Sequence, residues 1–215
     1  MSDLITVAVG FRIDDEIVRR IEAVDPRIRV VALPALSGRE PVAPDAATKA
    51  QLKASLAEAE ILFGPGGVPT EYFEATTSLK WFQVINAGVD RLASDGVLQR
   101  GFTVTNVSGM TAVAIAEYIL GTMVMLAKGI HRAVRAQVDH RWDFRFTGEL
   151  AGKTLGIAGM GAIGRETARR AKAFDMRVVA SRRTVAAGAT DPDCDLLLPY
   201  TELDRLLQES DYVAL

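Results

Sequence analysis

Thr154-Leu-Gly-Ile-Ala158 runs directly into Gly159-Met160-Gly161-Ala162-Ile163-Gly164. The first five residues form a short apolar run of the kind that makes a buried strand. Arg165 to Phe174 puts Thr167, Ala171 and Phe174 on one face and reads as helix, and Arg177-Val-Val-Ala-Ser181 reads as the next strand. Glycines cluster in many turns, so a bare G-x-G-x-x-G carries little weight. Between a strand and a helix, inside a unit of about 30 residues, it is the fingerprint of a pyrophosphate cradle. Gly159 allows the tight turn, Gly161 leaves room for the phosphates, and Gly164 lets helix and strand pack closely. The amides of Ala162 and Ile163 are expected to face the phosphates, aided by the helix dipole, with Met160 as part of the same binding loop.

The end of the second strand reports on the dinucleotide. An acidic residue there would hold the ribose 2′-hydroxyl of NAD. This chain has Ser181-Arg182-Arg183-Thr184 instead, with Arg182 lying 18 positions after Gly164. A guanidinium grips a 2′-phosphate bidentately where a carboxylate would repel it. These four residues therefore select NADP, with NAD the second choice. The plainer reading, two solvated charges at a strand end, stays open.

Upstream, short runs rich in β-branched or aromatic residues occur at Ile5–Val9, Arg29–Leu33, Glu60–Phe63, Trp81–Ile85 and Phe102–Thr105. Helical spacing at Asp14–Val24 and good helix formers at Ala46–Ala59 alternate with them, which implies a parallel sheet covered on both faces. Residues 34–44 read as a surface loop. Val113 to Ile130 is the strongest helical pattern, apolar on most sides, and is expected in the core and in a homodimer interface. From His131 to Gly152 the chain turns polar and aromatic and is expected to be an irregular connection.

The bulk numbers set the class. In 215 residues, 49% are apolar and 24% charged, ordinary for a globular protein with a real core. A net charge of −2 implies no general attraction to nucleic acid or anionic lipid. Cys194 is the single cysteine, so a reduced, cytoplasmic setting is expected. The apolar stretch Ile115 to Ala127 carries Glu117 and falls short of the roughly 20 residues of a membrane span. Two histidines without a cysteine cluster argue against a metal site.

Several stretches together resemble the D-isomer-specific 2-hydroxyacid dehydrogenases. They are Leu79-Lys-Trp-Phe-Gln-Val-Ile-Asn-Ala-Gly-Val-Asp90, Val104-Thr-Asn106, Ala116-Glu117, Glu149 through Gly164, and Leu203 to Val213. The resemblance implies an α/β protein with a flavodoxin-like substrate domain over residues 1–102. A Rossmann-type coenzyme domain follows over 103–215, the active site lying in the cleft between the two. It implies hydride transfer between NADP(H) and C2 of a small 2-hydroxy or 2-oxo acid. The backbone amides of Ala87 and Gly88 would hold the substrate carboxylate, since consecutive amides in a turn make an anion nest. Asp90 and Glu117 are read as structural.

The family's arginine, glutamate and histidine lie further toward the C-terminus than anything here, so no catalytic residue is assigned in this chain. His131 and His140 do not match the family's histidine and are read as packing residues. Strands 154–158, 177–181 and 211–215 are expected to complete one βαβαβ half and leave 154–158 as an unpaired apolar edge. The expectation is therefore an N-terminal fragment of a longer enzyme, inactive by itself. A dinucleotide-sensing or scaffolding relative without turnover is the alternative.

Overall fold

A computed structural model describes residues 4–33, 36, 45–185 and 189–215. Apart from Leu36, the loop expected over 34–44 lies outside the described residues. The chain divides into two compact units, Met1–Ser108 and Gly109–Leu215.

The first unit contains β1 (Ile5–Val9), α1 (Asp15–Glu22), β2 (Ile28–Ala32), α2 (Ala46–Glu58) and β3 (Ile61–Gly64). Then come α3 (Thr70–Phe73), β4 (Trp81–Val84), α4 (Asp90–Ser94) and β5 (Thr103–Thr105). All pairings are parallel, in the order β2-β1-β3-β4-β5. The strand order turns between β1 and β3, and in open α/β sheets such a switch opens a crevice at the carboxyl ends of the strands. Leu62 and Phe82 are fully buried on the sheet, packed with Leu52 and Leu56 of α2 and Phe73 of α3. Asp45 starts α2 by accepting the Thr48 amide at 2.7 Å, a side-chain cap for an orphan helix donor. Trp81 pairs with Thr103 in the β4–β5 ladder. That pairing puts β5 in the first unit and moves the boundary from residue 102 to 108.

The second unit contains α5 (Ala112–Ala127), α6 (Ile130–Val138), β6 (Thr154–Ala158), α7 (Ala162–Ala173) and β7 (Arg177–Arg182). It continues with β8 (Leu196–Pro199), α8 (Leu203–Glu209) and β9 (Tyr212–Ala214). Its parallel sheet has the order β8-β7-β6-β9. Three expectations are corrected here. β6 is no edge, because Leu155 pairs with Val178 of β7 on one side and Tyr212 of β9 on the other. Strand β8, a leucine run without β-branched residues, completes the first half, and β9 lies across β6 from it. Finally, the connection after residue 130 begins as a helix. Gly129 adopts φ 64° and ends the preceding turn, after which Ala, Arg and Gln in Ile130–Val138 favour helix.

Among the described residues no single helix is long and apolar enough to cross a membrane. Ala116, Leu120 and Met123 of α5 are buried, and Leu120 and Met123 join the core formed by Leu155, Ile157, Ala168 and Val178. Glu117 faces Arg170 of α7 at 3.8 Å, which gives it a structural partner.

Close packing makes Gly156 of β6 the tightest point of the second sheet. A methyl group there would overlap Ser210 Oγ and lie 2.7 Å from Leu206 Cδ2. Gly156→Ala should therefore destabilise by about 1–3 kcal/mol. Gly121→Ala in α5, where a methyl meets nothing within 4 Å, should stabilise by roughly 1 kcal/mol. Urea denaturation of the two variants checks the pair, and equal effects would contradict the packing described.

Candidate nucleotide site and amide nest

The glycine loop sits at the carboxyl end of β6. Gly159 has φ 129°, a conformation that L side chains rarely adopt. Gly164 lies against the Gly159 carbonyl so closely that any side chain there would overlap its oxygen. This contact brings the first turn of α7 onto the strand end. Gly161 faces open space, with nothing within 4 Å of where its Cβ would stand. The first bond of the α7 ladder runs from the Arg165 amide to the Gly161 carbonyl at 2.9 Å. Among the described residues no acceptor takes the amides of Gly161, Ala162 or Ile163. Free amides, an open glycine position and a helix N-terminus on a 12-residue helix together fit a dinucleotide pyrophosphate.

Two residues placed in this site by the sequence are also tied into the fold. The Met160 amide donates to the Ser181 carbonyl at 2.9 Å, and the Met160 side chain is buried in the core. Met160 therefore ties the loop to β7. Ser181 is 1% exposed, and its Oγ is buried with no hydrogen-bond partner among the described residues. Its carbonyl, not its hydroxyl, serves the loop. Arg182, Arg183 and Thr184 are exposed at the end of β7, and among the described residues neither arginine makes an ion pair.

Sequence reading missed the acidic segment behind these arginines. Arg165 Nη1 and Nη2 donate to the two Asp191 oxygens at 2.9 and 2.6 Å, and Nη1 also donates to Asp193 at 3.0 Å. Burial works to raise the Asp191 pKa, but the Arg165 hydrogen bonds and charge outweigh it and hold the group below its usual value. The Cys194 thiol is pushed up, first by burial and then by the carboxylates of Asp191, Asp195 and Asp193. It is a poor nucleophile. Asp195 accepts from Lys172 at 2.6 Å and from the Val178 amide at 2.7 Å, and its pKa is lowered by both. The only sequence signal for this segment is Asp191-Pro-Asp-Cys-Asp195 itself.

In the first unit, the loop after β4 is stitched on both sides. Asn86 Oδ1 accepts the Gly66 amide at 2.8 Å, and Asn106 Nδ2 donates to the Ala87 carbonyl at 2.6 Å. These bonds fix the turn, while among the described residues no acceptor takes the amides of Ala87 or Gly88. His131 Nδ1 lies 3.4 Å from the Met125 carbonyl, and His140 occupies a turn with φ 52°. Among the described residues neither histidine is paired with a carboxylate.

The family model described as "D-isomer specific 2-hydroxyacid dehydrogenase, NAD binding domain" matches residues 120–215. The chain belongs to the D-isomer-specific 2-hydroxyacid dehydrogenase family. The matched domain indicates a nicotinamide dinucleotide cofactor. A hydroxypyruvate reductase of Thermotoga maritima is 34% identical over 150 residues, covering 69% of this chain and 47% of that protein. A glyoxylate reductase of Thermofilum pendens is 30% identical over 160 residues, covering 69% and 45%. The chain thus spans about half the length of these relatives. The crystal structure of a D-isomer specific 2-hydroxyacid dehydrogenase family protein from Aeromonas salmonicida superposes with a TM-score of 0.79 at 25% identity. The match covers 97% of this chain and 62% of that one.

Asp191 and Asp195 carry depressed pKa values, so each stabilises the fold above its unfolded pKa of about 4 and loses that effect as pH falls through its lower folded value. Stability should therefore drop below about pH 4. Asp195→Asn should lower stability at pH 7 and flatten the acid limb of a denaturation series. An unchanged acid limb would contradict the assignment.

Proposed function

We propose that this chain supplies the NADP-binding cradle and the carboxylate-binding nest of a 2-hydroxyacid dehydrogenase acting on a small 2-oxo or 2-hydroxy acid. The observation that carries this reading is the set of unclaimed amides at Gly161, Ala162 and Ile163 beside a strand end bearing Arg182 and Arg183. The bound nicotinamide supplies the hydride exchanged with C2 of the acid. The chain's own residues bind and orient. Ala162 and Ile163 amides hold the pyrophosphate, Arg182 and Arg183 with Thr184 hold the 2′-phosphate, and Ala87 and Gly88 amides hold the substrate carboxylate. The names of the relatives, hydroxypyruvate reductase and glyoxylate reductase, support a short 2-oxo acid.

NADP is favoured over NAD because β7 ends without a carboxylate and with two exposed guanidinium groups. The buried Ser181 hydroxyl takes no part. Among the described residues neither histidine is paired with a carboxylate, and we assign the 215 residues binding without turnover. We assign a homodimer to the α5 region, where Tyr118 is 76% and Leu126 53% exposed. We assign a cytoplasmic setting, which the single cysteine of the sequence supports. A sedimentation mass of a single chain would remove the dimer.

Fluorescence titration with NADPH and NADH tests the cofactor assignment. NADPH should bind more tightly, and Arg182→Asp should reduce that preference about tenfold or more, the scale of a lost charge-assisted hydrogen bond. Equal affinity of the unaltered chain for both would overturn the NADP assignment.

A further inference from the structure

Asp191 is the one charged residue buried among those described, and nothing in the binding scheme above uses it. Its surroundings are built. Besides the two bonds from Arg165, its Oδ1 accepts the Asp193 amide at 3.1 Å, and its carbonyl accepts the Cys194 amide at 3.3 Å. Arg165 stands in the first turn of α7, next to the amides assigned to the pyrophosphate. The positive charge of Arg182, at the end of β7, also acts on Asp191. The same strand end is tied to the glycine loop through Ser181 and Met160, and Arg182 is paired with Pro199 of β8. One ionic joint thus connects the pyrophosphate helix to the segment entering β8, the strand whose Pro199 pairs with Arg182.

The joint also sorts the cations. Two carboxylates occupy Arg165, which leaves Arg182 and Arg183 as the arginines at this end of the sheet without an ion pair among the described residues. A guanidinium loose beside the cradle would attract any phosphate, and the pyrophosphate is common to NAD and NADP. Holding Arg165 down reserves cationic attraction for the group that distinguishes them.

We propose that the Arg165–Asp191 joint, with Asp193, is a positioning device for cofactor selectivity: it sets the α7 turn and the Arg182 strand end at a fixed spacing and withholds Arg165 from phosphate. It touches no part of the cofactor. This rests on the reading of Arg182 as the 2′-phosphate residue. A pair that merely held the fold together would weaken both dinucleotides alike when broken.

The test is fluorescence titration of the 215-residue chain with NADPH and NADH, comparing the ratio of dissociation constants. Asp191→Asn keeps the size and one acceptor but removes the charge. Its preference for NADPH should fall by about fivefold or more, the low end of coupling between neighbouring sites, with NADH binding retained or strengthened. Asp193→Asn, at a carboxylate 30% exposed, should shift the ratio in the same direction by less. Arg165→Lys, which keeps the charge and loses the bidentate grip, should shift it too. If Asp191→Asn loses its cooperative melt, the other two variants decide. An unchanged ratio in the folded variants, including a parallel loss for both dinucleotides, overturns the proposal. No preference in the unaltered chain would instead remove the NADP reading on which it rests.

Discussion

The second unit depends on the contact between Gly164 and the Gly159 carbonyl. With no side chain at 164, α7 sits directly on the end of β6, and its unbonded amides emerge where the strand stops. Any larger residue would push the helix away, and the amides would lose their common focus. The remaining packing supports this approach. Ala168 and Ala171 are small and fully buried on the inner face of α7, beneath α5 and against Leu155 and Val178. Met160 fills the space below the loop and lends its amide to Ser181, so the turn is fixed from both sides.

Electrostatics follow the same plan. The acidic residues between β7 and β8 are each committed. Asp191 and Asp193 hold Arg165, and Asp195 holds Lys172 and the Val178 amide. Asp211 closes the other side of the sheet by accepting the Thr154 amide at 2.9 Å. Negative charge is therefore absorbed at the entrances of the strands and behind the cradle. The exposed positive groups stand at the strand end where a 2′-phosphate would arrive. In the first unit the corresponding work is done without charge, by Asn86 and Asn106 fixing a turn whose amides stay unclaimed.

The parallel strands and the glycine loop were legible in the sequence because local chemistry determines them: apolar β-branched runs, glycines at fixed offsets, and helix formers directly after. The ladder partners of β6 were not, since the pairing of Leu155 with Tyr212 joins residues far apart in the chain. Strand β8 escaped because three leucines before a proline carry no strand period. The helix Ile130–Val138 was obscured by its charged composition, although Gly129 marks its start. The glycines of the loop could be read directly, from their fixed offsets. Met160 and Ser181 could not, because backbone donors look the same in every sequence and their commitment depends on which strand lies opposite. Asp191 carries no signal in the sequence, because its burial depends on Arg165 folding onto it.

The proposed dinucleotide binding rests on the α7 amides. Backbone ¹⁵N–¹H spectra of the chain, recorded while NADPH is added, read them one by one. Saturable shifts at Gly161, Ala162 and Ile163, with Met160 comparatively still because its amide is already bonded to Ser181, are the predicted result. Binding of NADPH that leaves those three amides unmoved would contradict it.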